Sequence, residues 1–516
     1  MLGAKSNSTT KEFTEVTINF IPNDPDSNEV PMREVRPRAN RPANRAGFNF
    51  TGHVAERAYD PAAQPNEFLF WQCREGALAA LETWEKITGV AFSSWQSGKK
   101  IDLLQDVNED ANAYYDRQSL SFFHFNAGGK TFYSGASTDV VSHETGHGIL
   151  DSIRPELIDS SVLEVNAFHE AFGDCIAILT ALHDDLTRAV VVGDIRSQNF
   201  VEGTAENLSA CIKLAIESGE ISKKAVNASA PRRARNSHKW QLPSSLPDIG
   251  SVGDGPGKLI NEAHCFGQVF SGCFYDTIIN IFDRLGGATE AQLLTAAQTA
   301  AHILSKAVAA APMQPRFFRE VGRAMIKVDE HDNDAANRDE IKAAFEGHNI
   351  PLGTGAMFAP VAALSGTAPR FKADVASLSA AIKRDILERI GGVGKIAMSV
   401  LRLGGEQVAQ LIHARPISCD DFDKRLKGVF AIAHESILVG DSGGRAAILD
   451  GLPDPSSTQT EVETYVRSLI KKGAIDFGDR SKGAVSGSGF PSASHRIKTV
   501  GGKRMLVRFR YACRCS

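Results

Sequence analysis

The run Thr138-Asp139-Val140-Val141-Ser142-His143-Glu144-Thr145-Gly146-His147 sets two histidines four residues apart with a glutamate directly after the first. At helical spacing His143 and His147 share one face, so both imidazoles can reach a single metal ion. Glu144 is turned by about 100° and can still approach a water on that ion. Ser137 or Thr138 supplies an N-cap, and Val140 and Val141 face inward, so a helix is expected over 139–153.

Twenty-three residues beyond His147 lies Glu170-Ala171-Phe172-Gly173-Asp174, inside an amphipathic helix expected over 164–182. Run antiparallel to the first helix, this one brings Glu170 to the metal as a third ligand. Asp174, one turn later, can accept a hydrogen bond from a ligand imidazole and fix its tautomer. Buried carboxylates are costly unless paired or metal-bound, so two acids on an otherwise apolar face point to chemistry. His169, beside Glu170, points about 100° away and is not taken as a ligand. Two His and one Glu leave the fourth position of a zinc ion open for water, the layout of a catalytic site.

With these residues in place the chain resembles the thermolysin-like zinc metallopeptidases, gluzincins with HExxH followed by ExxxD. The likeness covers roughly residues 68–349 and extends to three further stretches. Ala111-Asn112-Ala113-Tyr114-Tyr115 looks like the family's edge strand, so Asn112 and Ala113 are implied to align the substrate backbone as an added strand. Glu262-Ala263-His264-Cys265-Phe266-Gly267 resembles the family's histidine-bearing helix start, which implies that His264 stabilises the oxyanion or protonates the departing amine. Pro231-Arg232-Arg233-Ala234-Arg235-Asn236 resembles the stretch with the substrate-binding arginine; the offset favours Arg232, with Arg233 and Arg235 as alternatives.

The chain also departs from that pattern. The family's Tyr between the zinc helix and the third ligand has no counterpart, since no Tyr lies between Tyr133 and Tyr275. Loss of one oxyanion donor costs about 10²–10³ in rate, so His264 and Arg232 are expected to carry more of that work. Leu259 replaces an acid five residues before His264, with Glu262 or Asp254 as substitutes. Ala181 stands where a calcium-binding acid is expected, and Val191 where another follows. Asp139, Asp184, Asp185 and Asp194 remain, so the resemblance implies one catalytic Zn²⁺ and, at most, a reduced Ca²⁺ site.

The rest of the chain frames these motifs. Over 516 residues, Lys+Arg is 57 and Asp+Glu is 61, a net charge of −4 that argues against a dedicated nucleic-acid partner. No apolar run approaches 18 residues, so no membrane span is expected. The opening MLGAKSNSTTKEFTEV has no apolar h-region; a cytoplasmic protein, a non-Sec export route or a mature secreted form all fit, and no long pro-segment precedes the expected catalytic lobes. The eight cysteines form no CxxC pair and are expected to be mostly reduced thiols, with Cys513 and Cys515 able to pair.

Residues 1–60 read as an irregular arm with one strand at 14–21. A helix is expected over 66–88, stopped by Gly89, and then short strands at VAFSSW, IDLL, ANAYY, SLSFFHF and KTFY, forming an antiparallel sheet. Helical periodicity takes over at 205–218, 261–285, 290–310 and 337–346, interrupted by a Pro/Gly-rich surface loop over 226–258. Strands followed by helices imply an α+β chain. The resemblance casts it as two lobes: a β-rich N-terminal lobe over 61–155 and a helical C-terminal lobe over 156–350. Residues 351–516 form an additional C-terminal region, expected as helices at 374–390 and 406–413 and then a hairpin turning at Gly501-Gly502. Seven Lys/Arg between Arg496 and Arg514 read as a solvated strand face, or as a surface for an anionic partner.

The function expected is a zinc-dependent endopeptidase acting on a peptide or protein substrate, with Glu144 as general base. The alternatives are a zinc-bearing, non-catalytic binding or structural protein, and an aminopeptidase, for which no acidic motif to hold a free amino terminus is evident.

Overall fold

The computed structural model describes residues 16–220, 230–252, 254–255, 257–353, 360–363, 388, 396–403, 406–441, 446–449, 454–478 and 493–512. They form an α+β chain. Its helices are α1 (Pro65–Thr88), α2 (Thr138–Ile153), α3 (Leu163–His183), α4 (Asp185–Val191), α5 (Glu206–Glu217), α6 (Ala263–Arg284), α7 (Glu290–Ala310), α8 (Phe317–Asp332), α9 (Arg338–Gly347) and α10 (Pro455–Lys472).

Helix α1 begins with Pro65 in its first turn and ends at Gly89, whose left-handed backbone (φ 67°) lets its N–H cap the Glu85 carbonyl. Its apolar stripe, including Leu78, Leu81 and Trp84, is buried against α2 and α3. Helix α7 starts with a reciprocal capping box between Thr289 and Gln292. Around α3, the most buried helix, pack α2, α6, α7 and α8. Phe168 packs edge to face on Phe270 and Phe317 and tilted on Phe172, each burial worth roughly 1.5–3 kcal/mol. Helix α8 was not anticipated, because its stretch is broken by charges at Arg319, Glu320 and Arg323 that the structure pairs with one another.

Two expectations about strands are corrected. The N-terminal sheet is mixed, not antiparallel: Gly47–Phe50 pairs parallel with Lys100–Leu104, which pairs parallel with Ser119–Phe122. A helix, α1, connects the first two of these strands, and such a crossover leads to parallel pairing. Only Ala113–Tyr115 runs antiparallel to Ser119–Phe122. The run SLSFFHF breaks at Phe123, after which His124–Ala127 leaves the sheet to form a separate hairpin with Lys130–Tyr133. VAFSSW contributes only a bridge at Trp95. The arm's strand spans Ile18–Phe20.

The second correction concerns the C-terminal region. Residues 406–413 belong to the strand Glu406–Ser418, not to a helix. Val408, Leu411 and Ile412 mimic a helical stripe, but the strand is clamped between Ile396–Leu403 and Val429–Asp441, and pairing on both sides overrides the local pattern. These strands are part of an eight-stranded sheet that also holds the hairpin His495–Val500/Lys503–Arg508, turning at Gly501-Gly502 as expected. The helix expected at 374–390 lies, apart from Glu388, outside the described residues, as do Cys513 and Cys515. The six other cysteines are buried thiols outside any disulfide.

This sheet docks on the helices through buried polar links. Ser436 donates its N–H to the Met313 carbonyl (2.9 Å), and Ser161 donates to the Ile432 carbonyl (2.6 Å). Ser468 on α10 donates to the Asn261 carbonyl (2.7 Å), just before α6. Among the described residues no helix is long and apolar enough to cross a membrane.

Candidate metal centre

Helices α2 and α3 cross at two glycines. A Cβ on Gly146 would meet the Gly173 backbone at 3.0 Å, and one on Gly173 would meet His143 Nδ1 at 2.6 Å. Helix α6 closes in the same way: a Cβ on Gly267 would meet the Ala167 carbonyl at 2.7 Å. Absent side chains therefore let three backbones approach closely enough for the HExxH and ExxxD faces to meet.

In this antiparallel crossing, four residues forward on α2 match four or five residues back on α3. His143 thus lies opposite Asp174, and His147 opposite Glu170 and His169. Glu170 Oε2 sits 3.4 Å from His143 Nε2 and 3.5 Å from His147 Nε2. Donors about 2.0–2.2 Å from one tetrahedral ion would lie about 3.3–3.6 Å apart, so the three atoms fit a shared zinc-sized ion. Those same three atoms, together with both carboxylate oxygens of Glu144, are buried without a hydrogen-bond partner. Unpartnered buried polar atoms are expensive, and a cation among them removes that cost. The ligand atoms of His143, Glu144 and His147 all lie within 4.8 Å of one another. Glu170 Oε2 lies still closer to both imidazoles, so a buried metal ion is a good match for this site.

Each ligand is oriented from behind. Asp174 Oδ1 accepts from His143 Nδ1 at 2.9 Å, leaving Nε2 for a metal. His147 Nδ1 lies 2.8 Å from His169 Nδ1, and Nε2 is free for a metal when His147 is the donor. His169, set aside as a ligand in the sequence, has a role that was overlooked: it partners His147 as Asp174 partners His143. The antiparallel register is the signal that could have found it.

Arg232 is 3% exposed and forks onto Asp174, with Nη2 2.9 Å and Nε 3.1 Å from Oδ1. The expected substrate-binding arginine therefore braces the residue behind His143. Arg233 pairs with Glu202 and Glu206, and Arg235 with Asp276. The short strand Arg232–Arg233 pairs with Gly203–Thr204 and carries Arg232 inward from what was expected to be a surface loop.

His264 opens α6, with Nε2 3.1 Å from Glu170 Oε2. Glu262 caps that helix by accepting from the Cys265 N–H at 3.0 Å, and its Oε1 lies 2.8 Å from His264 Nδ1. Of the two candidates to replace the missing acid, Glu262 is the one in contact. Lys472 from α10 reaches the same Oε1 at 2.7 Å.

Asn112 is buried, and its Oδ1 accepts from the Ala113 N–H at 2.9 Å. The outer edge of Ala113–Tyr115 is taken by Tyr511–Ala512, which pairs antiparallel with it. Three of the four acids considered for calcium are separately engaged. Asp139 accepts from Ser137 and the Ala205 N–H, Asp184 caps α4 and pairs with Arg33, and Asp185 pairs with Arg188.

Burial dominates the electrostatics. It lifts the Glu144 carboxyl to about 8, with His143 pulling down and Glu170 pushing up. It drives His147 down to about 4 and His169 well below the ordinary range, so both stay neutral. Against burial, the facing imidazoles of His264, His147 and His143 keep Glu170 ionised, and Arg232 and His143 hold Asp174 at about 2. His143 stands at about 9: burial and Arg232 depress it, but the hydrogen bond to Asp174 and the nearby Glu170 carboxylate prevail.

No protein-family model matches the chain, and no curated protein matches it.

Proposed function

We propose that the chain is a zinc-dependent endopeptidase on a thermolysin-like two-lobe scaffold. The observation that carries the reading is the convergence of three unpartnered ligand atoms, on His143, His147 and Glu170, beside the unpartnered carboxylate of Glu144. The buried sheet-and-helix arrangement around α2 and α3 supports it.

A zinc ion held by His143, His147 and Glu170 would acidify a bound water and polarise the scissile carbonyl. Glu144 would accept a proton from the attacking water and deliver it to the leaving nitrogen. His264, held by Glu262, donates to the developing oxyanion or to the departing amine. Asp174 and His169 hold the ligand imidazoles in the tautomer that presents Nε2. Arg232 keeps Asp174 ionised and in place.

A second reading, a metal-bearing but non-catalytic protein, is favoured by one observation: His143, Glu144 and His147 are fully buried. To separate the two, wild type and Glu144→Gln are assayed for zinc and incubated with unfolded casein, with and without chelator. The peptidase reading expects one zinc per chain in both, and chelator-sensitive internal cuts by wild type alone. Absence of zinc, or cleavage that Glu144→Gln and chelator leave unchanged, would overturn it. One zinc in both, with no cleavage by wild type or by any variant that uncovers the site, is what the second reading expects.

A further inference from the structure

The strand Ala113–Tyr115 would be the edge of its sheet, and the resemblance assigns that edge to substrate. Here it is occupied by the chain itself. Tyr511–Ala512 adds an antiparallel strand, with Tyr511 opposite Tyr115 and Ala512 opposite Tyr114. The Tyr511 side chain is wholly buried. Its ring stacks on His169 at 3.9 Å and 19° and on His147 at 4.7 Å and 22°. Arg508 lies over the Tyr511 ring at 4.0 Å and donates to Asn166 Oδ1 at 2.8 Å and to the Tyr465 hydroxyl. Arg510 lies over Tyr114 at 4.9 Å and donates to the Ala493 carbonyl at 2.8 Å, which ties the tail to the C-terminal sheet.

We infer that Arg508–Ala512 is an intramolecular inhibitor: it lies along the substrate strand, seals the metal centre, and must be displaced before a peptide can bind. The inference rests on the peptidase reading and names its regulation. A peptide recognised by strand addition needs the free backbone groups of Ala113–Tyr115, and the tail uses that edge. The occupant also suggests what the groove accepts, an extended segment with an aromatic side chain flanked by arginine. A tethered segment competes at an effective concentration on the order of mM, so a tail that binds in isolation at about 0.1 mM would slow hydrolysis roughly tenfold.

The test uses the full chain. Tyr511→Pro removes the ring and one backbone donor of the tail; Arg508→Ala loosens it separately, should the proline variant fail to fold. Three readings are taken on zinc-loaded protein: the rate of zinc removal by a chromophoric chelator, the rate of casein cleavage, and the inhibition of each variant by a synthetic peptide of residues 505–512. Expected are faster zinc removal and roughly tenfold or greater faster cleavage in the variants, with cleavage suppressed competitively by the peptide. Unchanged zinc removal and cleavage would overturn the inference, as would slower cleavage, which would make the tail a working part of the site. Faster zinc removal with no cleavage in any protein would instead support the tail as a cover while removing the peptidase reading.

Discussion

Asp174 is the residue whose replacement reports most directly on how the centre is built. It holds His143 at 2.9 Å on one side and Arg232 at 2.9 Å on the other, and both it and Arg232 are nearly inaccessible. Asp174→Asn keeps the volume and one acceptor but removes the charge. A partner behind a ligand imidazole is worth about 10–100-fold in metal affinity, which is about 1.4–2.7 kcal/mol. Separately, a buried guanidinium left without its carboxylate costs about 3–5 kcal/mol of stability, less whatever the amide oxygen recovers. The two effects separate in a double variant. With Arg232→Met added, no buried cation is left unpaired, so most of the stability returns while zinc remains weakly held. The assays are competition for zinc against a chromophoric chelator and urea unfolding of the metal-free proteins. Wild-type zinc affinity in Asp174→Asn would refute the orienting role. A double variant no more stable than Asp174→Asn alone would refute the pairing argument.

Three further outcomes follow from the same geometry. His169→Phe removes the partner of His147 Nδ1 and should weaken zinc binding about tenfold in the same competition assay, with little change in fold. Gly173→Ala drives a methyl against His143 Nδ1, so it should cost about 1–3 kcal/mol in urea and lower zinc occupancy, whereas Gly347→Ala, where nothing lies within 4 Å, should leave zinc binding alone. Burial lifts Glu461 to about 8 and Glu164 to about 7; such raised acids contribute stability below their ordinary 4.5 that is lost as pH rises through the folded values. The contribution of these two carboxyls to the melting temperature should therefore fall between pH 5 and pH 8.5. Glu461→Gln should flatten that fall and gain on the order of 1–3 kcal/mol at the upper end; an unchanged slope would show that the carboxyl is not held neutral.

What could be read along the chain was what depends on local period. HExxH and ExxxD each need only a helix, and two antiparallel helices determine which members meet, so His143, His147, Glu170 and Asp174 were legible together. His169 was passed over because its direction was judged relative to Glu170 alone, without the facing helix. The burial of Arg232 was not legible, because it depends on pairing with Gly203–Thr204, two short strands with no periodic signal. The mixed sheet was hidden because its parallel pairs join strands on either side of α1. Nothing in Phe509-Arg510-Tyr511-Ala512 marks it as the neighbour of Ala113–Tyr115, almost four hundred residues earlier, because edge pairing of two short strands leaves no periodic trace.

The tail also bears on the tyrosine that the family resemblance leads one to expect between His147 and Glu170, where this chain has none. Tyr511 arrives near the centre from the far end of the chain and could be taken for a replacement donor. Its contacts argue otherwise. The hydroxyl lies 3.3 Å from Asn166 Oδ1, an oxygen that also accepts from Arg508, and the ring face is spent on His169 and His147. A group that stabilises an oxyanion must direct its donor at the reacting carbonyl, and this one directs it at the start of α3. The strand carrying Tyr511 meanwhile takes the edge along which a substrate would lie, so the residue cannot assist a peptide whose place its own backbone holds. Occlusion accounts for both contacts at once, the stacked ring over the ligand helix and the added strand on the sheet, whereas a donor role accounts for neither.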